Sequence, residues 1–368
     1  MSNPIPTKTQ KAVVLLNFGG PGNLAEVADF LFEILRDPNT IQLPFPLSFQ
    51  DRLARRIANK RSVEVAEQYE QIGGRSPIVE ATEKQRQNLE ADLRKAGSLA
   101  KVYVAHRYIP GNTRETIQQM IRDGIDDIYL IPMYPHFSGA TTGSSIEQFC
   151  QLLAQSDYTG KVQALRSYPN HPDYIEGLSD LIQKALSELK LDPEKTRILC
   201  SAHGLPQSYV DQGDPYLMEM ISTVEELRKN FPQWQFDLCF QSRVGPAKWL
   251  QPYTDVLIKE LPEQGVQSIF FVPLSFVNDH LETLFEIDDT YFNLARSVNL
   301  TPYRLNALET HPQFIKLLCE KALLWEQGVQ GIDPALLMPA SQQFRRYDQW
   351  ILYVWVICFL TAFHFAIA

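Results

Sequence analysis

Short runs of β-branched and aliphatic residues recur along the chain, and longer segments with helical spacing of apolar residues separate them. Because the runs are apolar on both faces, they predict buried strands of a parallel sheet covered by helices. The predicted strands are 12–17, 101–106, 127–133, 162–166, 197–202, 236–241 and 267–274. The predicted helices are 62–71, 79–96, 114–123, 173–189, 217–230 and 311–325. This alternation favours an open, doubly wound α/β fold.

Three strand ends occur in the same order in both halves of the chain. The first half reads VVLLNFGGP, VYVAHRYIPG and DIYLIPMYPHFSGATTG, and the second reads RILCSAHGLP, DLCFQSRVGP and SIFFVPLSFVNDHLET. The repetition predicts two similar doubly wound, Rossmann-like halves that face each other, with a ligand cleft beyond the carboxyl ends of the strands. We predict halves over residues 1–168 and 169–326, a linker over 327–346 and a hydrophobic tail helix over 347–368.

The composition of the 368 residues, 45% hydrophobic and 21% charged, is that of a packed globular protein. A net charge of −9 without a basic stripe argues against a nucleic-acid partner, because phosphate binding requires clustered Lys and Arg. The five cysteines are scattered and never in C-x-x-C spacing, which argues against disulfides and metal clips and favours a reducing compartment. The short polar start, residues 1–10, leaves no room for a signal peptide and predicts a cytoplasmic protein.

The last nineteen residues, 350–368, contain no formally charged side chain apart from His364 when it is protonated. This length just reaches the span of a bilayer core, and an apolar surface on all sides disfavours an amphipathic surface helix. Arg345 and Arg346 precede the segment on the side expected to stay in the cytoplasm. We predict a single tail anchor on the cytoplasmic face of the inner membrane, with a buried core helix as the alternative.

His203 lies in the string SAHGLP, residues 201–206, which directly follows the apolar run 198–200. A histidine held at a strand end in this way can ligate a divalent metal, and it can accept a proton near neutral pH. The alternative is a histidine that only hydrogen-bonds the loop backbone.

The segment 279–289 is rich in carboxylates. If a helix begins at Asp279, Glu282 occupies the capping-box position, and both side chains could simply satisfy free backbone amides. Against this, Glu282, Glu286 and Asp289 share a face at helical spacing, where like charges mildly destabilise a helix. The stripe therefore favours a divalent cation or a proton path, while an outward-facing solvated stripe is the alternative for Asp288 and Asp289.

The ordered motifs of the chain resemble those of the ferrochelatase family over about residues 12–325. They are LLNFGGP (15–21), QYEQIGGRSP (68–77), HRYIPG (106–111), MYPHFS with TTGSS (133–145), SAHGLP (201–206), GDPY (213–216), QSRVGPAKWL (241–250) and FVNDHLETLFEID (276–288). No single string decides the matter. Their order, spacing and joint presence make the resemblance specific.

The resemblance implies two α/β halves that clamp a porphyrin and insert Fe²⁺ into it, with loss of two pyrrole protons and no organic cofactor. It assigns the catalytic and metal-contacting roles to His203 and Glu282, and leaves open which takes protons and which meets the metal. The surrounding acidic path comprises Asp279, His280 and Glu286. The positions that line the porphyrin cleft in the family are Tyr69, Ser76, Arg107, Tyr108, Tyr134 and Trp249.

Two features of some relatives are missing from the tail of this sequence. It lacks the closely spaced cysteines of an iron–sulfur cluster and the Glu and Asn-x-Arg pair of a chlorophyll-binding motif, so we predict neither. The expected partners are porphyrin, ferrous iron and a membrane, and a homodimer is compatible with the sequence. The alternatives are a coproporphyrin ferrochelatase, a cobalt or nickel chelatase for a related tetrapyrrole, and a non-catalytic tetrapyrrole or metal carrier tethered to the membrane.

Overall fold

The computed structural model describes residues 9–40, 47–243 and 247–337, and the strands within them form two parallel sheets of four strands each. The strands are β1 Lys11–Asn17, β2 Lys101–His106, β3 Asp127–Pro132, β4 Lys161–Ala164, β5 Thr196–His203, β6 Gln235–Gln241, β7 Ser268–Pro273 and β8 Thr301–Arg304. The first sheet has the order β2-β1-β3-β4 and the second β6-β5-β7-β8, so the two share one topology. The prediction of two similar parallel-sheet α/β halves is confirmed.

Helices connect the strands, as parallel pairing requires. They are α1 Val27–Leu35, α2 Leu47–Gln71, α3 Ile78–Lys95, α4 Asn112–Arg122, α5 Ser144–Ala154, α6 Pro172–Leu189, α7 Gln207–Asp211, α8 Tyr216–Asn230, α9 Thr254–Glu260, α10 Phe292–Ser297 and α11 Pro312–Glu326. Short 3₁₀ helices are Leu24–Glu26, Leu261–Gln264 and Pro334–Leu336. The helix predicted over 62–71 is only the last part of the 25-residue α2.

Seven strands form where apolar runs predict them, and the central strands β1, β3, β5 and β7 are buried on both faces of a sheet. In β3, for example, every residue after Asp127 is buried. Strand β8 is not predicted, since its sequence TPYR is short and contains a proline and an arginine. Its position at the edge of the second sheet tolerates Pro302, which has no N–H to donate to a neighbouring strand.

A π-helix follows the third strand of each sheet. The first is Gly139–Gly143, between β3 and α5, and the second is Glu282–Tyr291, between β7 and α10. The acidic segment is therefore helical, but its π-helix begins at Glu282 and is wider than the regular helix whose spacing the sequence analysis assumes. π-Helices are rare and occur frequently at functional sites.

The two sheets share one hydrophobic core. Helix α11, which ends the second half, packs against α3 and β3 of the first half. The Trp325 ring stacks on Tyr129 with 5.1 Å between centroids, and its Nε1 donates a 2.9 Å hydrogen bond to Gln163 Oε1. Buried residues of both sheets belong to a single cluster. The two halves therefore touch extensively, and the boundary between residues 1–168 and 169–326 stays a prediction.

The predicted tail helix 347–368 and most of the predicted linker 327–346 lie outside the described residues. Within the described part of the chain, no helix is both long and apolar enough to cross a membrane.

Candidate active site

His203 and Glu282 lie side by side at the carboxyl edge of the second sheet. Strand β5 ends at His203, and the π-helix after β7 begins at Glu282. His203 Nδ1 lies 2.9 Å from Glu282 Oε2, a charge-assisted hydrogen bond when the imidazole is protonated. The His203 side chain is 36% exposed and that of Glu282 25%, so both can reach a ligand from the cleft. The two residues singled out from the sequence are thus brought together.

Glu282 is not a capping residue. The backbone N–H of His280 donates to Thr283 Oγ1 at 3.0 Å, and that hydroxyl donates to Asp279 Oδ1 at 2.8 Å. Thr283 therefore satisfies the His280 N–H, and Asp279 holds the Thr283 hydroxyl. The Glu282 carboxylate is left to face His203.

The charges of His203 and Glu282 stabilise each other. Burial favours the neutral carboxyl of Glu282, but the adjacent imidazole outweighs it and lowers the pKa of Glu282. Burial likewise favours neutral His203, but the Glu282 carboxylate outweighs it and raises the pKa of His203. Near neutral pH the pair therefore holds an anionic carboxylate beside an imidazole that titrates above its ordinary range.

His280 is the second histidine of the site. Its side chain is 9% exposed, and no described side chain hydrogen-bonds either ring nitrogen. The ring lies 4.2 Å from that of Phe276, and Nε2 is 3.8 Å from Glu282 Oε2. Burial lowers the pKa of His280, and the charges of Glu282 and Asp279 together with the Asn278 backbone oppose that effect. An imidazole without a side-chain partner at this position is available to a metal ion or a water molecule.

Glu286 lies one π-turn further along the helix and binds the end of β6. Its carboxylate accepts hydrogen bonds from Gln241 Nε2 at 3.1 Å, from the Ser242 backbone N–H at 2.9 Å and from the Tyr291 hydroxyl at 3.1 Å. Burial, reinforced by the charge of Glu282, raises the pKa of Glu286. The two carboxylates of the predicted acidic path thus differ, one held anionic and the other protonated more easily.

Asp279 is paired with Arg304. Arg304 Nη1 lies 2.7 Å from Asp279 Oδ1, and its Nε lies 2.7 Å from Asp288 Oδ1. The Arg304 side chain is only 7% exposed. The sequence analysis misses this arginine because it lies in the unpredicted strand β8. Asp289 is exposed and accepts a hydrogen bond from Asn293, as expected for a solvated surface carboxylate.

Two of the predicted cleft residues belong to a buried polar cluster in the first half. Arg107 Nη2 lies 2.8 Å from Asp37 Oδ2, and its Nε donates to Ser144 Oγ at 2.9 Å. The Tyr108 hydroxyl donates to the same Asp37 oxygen at 2.7 Å. Asp37 is buried and carries no signal in the sequence analysis, although it holds Arg107, Tyr108 and Ser144 in one arrangement.

The other predicted cleft residues have different surroundings. Tyr69 is buried, and burial together with the charge of Glu282 raises the pKa of its hydroxyl. Tyr134 is buried with its ring centroid 6.1 Å from that of Phe276. Ser76 lies so close to Gly20 that a Cβ there would be 2.5 Å from Ser76 Oγ, which explains the glycine. Trp249 forms a β-bridge with Pro206, just beyond His203.

A cavity of about 10 Å³, room for about one water molecule, lies beside His203 and Glu282. Its lining includes His203, Glu282, His280, Gln241 and Ser275. Among the described residues, no three His, Cys, Asp or Glu side chains are grouped so as to hold a metal ion. The arrangement therefore provides a base, a carboxylate and an imidazole without a side-chain partner, but no closed metal cage.

The fold of the chain is similar to that of a solved α/β protein. The structure of SirB from Bacillus subtilis with Fe³⁺ aligns with 88% of this chain and 100% of that chain, at a TM-score of 0.51 and 12% sequence identity. At this identity the likeness concerns the fold alone. The chain is thus an α/β protein of the architecture that SirB shares.

Sequence relatives identify the family. Residues 10–323 match the profile of the ferrochelatase family. Ferrochelatase from Geotalea daltonii is 39% identical over 310 residues, 84% of this chain and 96% of that protein. Ferrochelatase from Rippkaea orientalis is 41% identical over 318 residues, 84% of this chain and 80% of that protein. The chain belongs to the ferrochelatase family.

Proposed function

We propose that this enzyme inserts Fe²⁺ into protoporphyrin IX, forming protohaem and releasing two protons, the last step of haem biosynthesis. The observation that carries the proposal is the 2.9 Å contact between His203 and Glu282 at the strand edge of a chain in the ferrochelatase family. A proton acceptor and an anionic carboxylate are what the exchange of two pyrrole protons for a metal ion requires.

The geometry of the pair supports His203 as the proton acceptor. Because its Nδ1 faces Glu282, a neutral His203 carries the proton on Nδ1 and leaves the Nε2 lone pair free for a pyrrole proton. Glu282 then orients the ring and stabilises the imidazolium that forms. Glu286, whose pKa is raised and whose carboxylate accepts a hydrogen bond from the Ser242 hydroxyl, would take up the proton next and release it to solvent.

The substrate must also be deformed. A flat porphyrin holds its pyrrole N–H groups in the plane, where an approaching metal cannot reach all four nitrogens. An enzyme that binds a ruckled macrocycle is closer to the transition state. We assign the walls for this to the predicted cleft positions Tyr69, Ser76, Arg107, Tyr108, Tyr134 and Trp249.

Iron is a substrate in this scheme. The cavity beside His203 and Glu282 holds about 10 Å³, far less than the ~300–1,000 Å³ of a typical drug-sized ligand pocket, so it suits a water molecule or an ion while the macrocycle lies at its mouth. His280, whose ring has no hydrogen-bonded side chain, and Glu282 are the side chains that would meet Fe²⁺ there.

The test is an anaerobic assay of the purified protein with Fe²⁺ and either protoporphyrin IX or coproporphyrin, followed by absorbance. We expect the metalloporphyrin spectrum with protoporphyrin IX. Faster turnover with coproporphyrin would assign coproporphyrin as the substrate. In parallel assays with other metals, turnover with Co²⁺ or Ni²⁺ but not with Fe²⁺ would assign a different metal. If porphyrin binds but no metal enters it, the protein is a carrier and the proposal is wrong.

We also propose that residues 350–368 anchor the enzyme to the cytoplasmic face of the inner membrane. The support is the uncharged length of this segment and the two arginines before it. Full release of the protein into the supernatant by alkaline carbonate would refute an integral anchor. The homodimer stays a prediction, to be checked by light scattering of the purified protein.

A further inference from the structure

The motif GDPY, residues 213–216, lies beside His203 without touching a ligand-facing atom of the candidate site. Helix α8 begins at Tyr216, whose side chain is buried beneath the end of strand β5. Neither the proton acceptor nor the metal contacts of the proposed mechanism require this tyrosine. Its hydroxyl nevertheless lies 3.0 Å from the His203 carbonyl oxygen.

Three hydrogen bonds form a closed ring around the His203 backbone. The His203 N–H donates to Ser275 Oγ at 2.6 Å, and the Tyr216 hydroxyl donates to the His203 carbonyl at 3.0 Å. Because the Tyr216 proton is used in this way, Ser275 Oγ–H donates to the Tyr216 oxygen across 2.9 Å. Each of the three donors has one acceptor, and hydrogen bonds linked in this way reinforce one another.

The ring connects three elements around the candidate site. His203 ends β5, Tyr216 begins α8, and Ser275 lies in the loop after β7 that leads to Glu282. The position of His203 is therefore fixed relative to the loop that carries its partner. A shift of this backbone would change the 2.9 Å contact between His203 Nδ1 and Glu282 Oε2.

The same motif connects this ring to the first half. Asp214 accepts hydrogen bonds from Ser138 Oγ at 2.9 Å and from the Gly139 N–H at 2.8 Å, where the π-helix of the first half begins. It also accepts the Tyr216 N–H at 3.0 Å. One carboxylate thus holds the start of α8 against the opposite half.

We propose that Tyr216 and Ser275 are positioning residues that hold the His203 backbone through this closed ring, and that Asp214 fixes the ring to the first half. This inference rests on the proposed function for its effect on turnover. Neither side chain is proposed to exchange protons with the substrate.

The experiment is a double-mutant cycle with Tyr216→Phe and Ser275→Ala in the full chain. Each single change opens the ring, so we expect each to lower kcat about tenfold, as for the loss of one aligning hydrogen bond, with porphyrin KM within about twofold. The double variant should lose about the same tenfold, because the ring is already open. Two independent contacts would give about a hundredfold loss.

Two controls separate positioning from general damage. Tyr168→Phe removes another buried tyrosine hydroxyl that donates to a backbone carbonyl, that of Pro132 at 3.1 Å, and should leave kcat within about twofold. Ser275→Thr keeps a hydroxyl and should restore most of the turnover lost in Ser275→Ala. Unfolding curves would verify that every variant is folded.

The ring can also be tested without turnover. Hydrogen exchange of the His203 amide should accelerate in Tyr216→Phe and Ser275→Ala but not in Tyr168→Phe, because that amide donates into the ring. Multiplied losses in the double variant, unchanged kcat in Tyr216→Phe, or unchanged exchange at His203 would each overturn the proposal. A wild-type protein that inserts no metal would instead refute the proposed function and leave the exchange measurement to decide on the ring.

Discussion

The two halves of the molecule share a strand order but differ in the side chains at the strand ends. In the first sheet Leu16 pairs with Pro132, and in the second Ser201 pairs with Pro273. These pairs define equivalent positions, since each proline ends the third strand of its sheet. Residues at the same distance beyond these pairs therefore occupy equivalent positions in the sequences of the two halves.

Two residues beyond the paired positions, the first half has Phe18 where the second has His203. Nine residues beyond the strand-end prolines, the first half has Thr141 where the second has Glu282. The Phe18 ring packs edge-on against Tyr108 at 4.5 Å and against Phe276 at 6.1 Å. The repeated scaffold thus carries the aromatic ring of Phe18 in the first half, where the second half carries the imidazole of His203 with the carboxylate of Glu282 beside it.

The sharpest test of this asymmetry is to substitute equivalent positions. His203→Ala and Glu282→Gln should each lower kcat at least about a hundredfold, because a positioned proton acceptor or its orienting carboxylate is lost. Porphyrin binding, measured by fluorescence quenching, should stay nearly unchanged. The matched first-half change Thr141→Val should keep kcat within about threefold. Equal losses at Thr141 and Glu282 would mean that both halves carry the chemistry.

The next largest effect is expected at two buried arginines, Arg107 in the first half and Arg304 in the second. Arg107→Gln leaves Asp37 without its cation, and Arg304→Gln leaves Asp279 and Asp288 without theirs. Each change should lower the free energy of unfolding by about 3 kcal/mol. Only Arg304→Gln should also lower kcat, since Arg304 holds Asp279 and Asp288 at the π-helix of Glu282. Arg107→Gln should mainly weaken porphyrin binding. Denaturant curves and steady-state kinetics would separate these outcomes, and a normal kcat in Arg304→Gln would contradict the assignment.

The pH dependence should distinguish His136 of the first half from His203 of the second. Burial lowers the pKa of His136 to about 3, so this first-half ring should stay neutral across the physiological range. Glu282 raises the pKa of His203 despite burial, so Glu282→Gln should lower it. Ring-carbon NMR titrations would follow both, and an unchanged His203 titration in Glu282→Gln would show that the carboxylate does not set it.

The same pair makes stability depend on pH in a defined window. The contribution of His203 is fully present below its ordinary pKa near 6.5 and is lost as pH rises through the raised value. The contribution of Glu282 is present above its ordinary pKa near 4.5 and is lost as pH falls through the lowered value. The stability difference between wild type and Glu282→Gln should therefore be largest between about pH 4.5 and 6.5.

The smallest effect on turnover is expected outside both halves. A protein that ends at Ser341 lacks the proposed anchor but keeps every residue of the candidate site, so its kcat with dissolved porphyrin should match that of the full chain. Membrane fractionation of both forms checks the anchor. A large loss of kcat in the shortened protein would show that the tail takes part in catalysis.

Most of the fold can be predicted from the sequence because parallel strands buried on both faces leave continuous apolar runs. The repeat of three strand ends also predicts the shared topology. Strand β8 escapes prediction since an edge strand of four residues needs no apolar run. The packing of α11 on the first sheet escapes as well, because the order of elements along the chain says nothing about which sheet a terminal helix covers.

The candidate site is predictable only in part. His203 and Glu282 are found because each follows a strand run and carries a chemically distinctive side chain. The π-helix is not found, since apolar spacing is judged against 3.6 residues per turn. The hydrogen-bond ring is invisible in the sequence, because Ser275 lies 72 residues from His203 and serine and tyrosine serve many roles. Arg304 is missed because it lies in β8, the strand that no apolar run predicts.

The position of α11 affects how the protein folds while the ribosome synthesises it. Synthesis runs from the amino terminus, so β1, β2 and β3 emerge long before residues 312–326. Until then, the face of Tyr129 that Trp325 covers has no permanent partner. The face of β3 that α11 covers is therefore exposed until residues 312–326 have been made, and apolar surface exposed in this way is prone to aggregation.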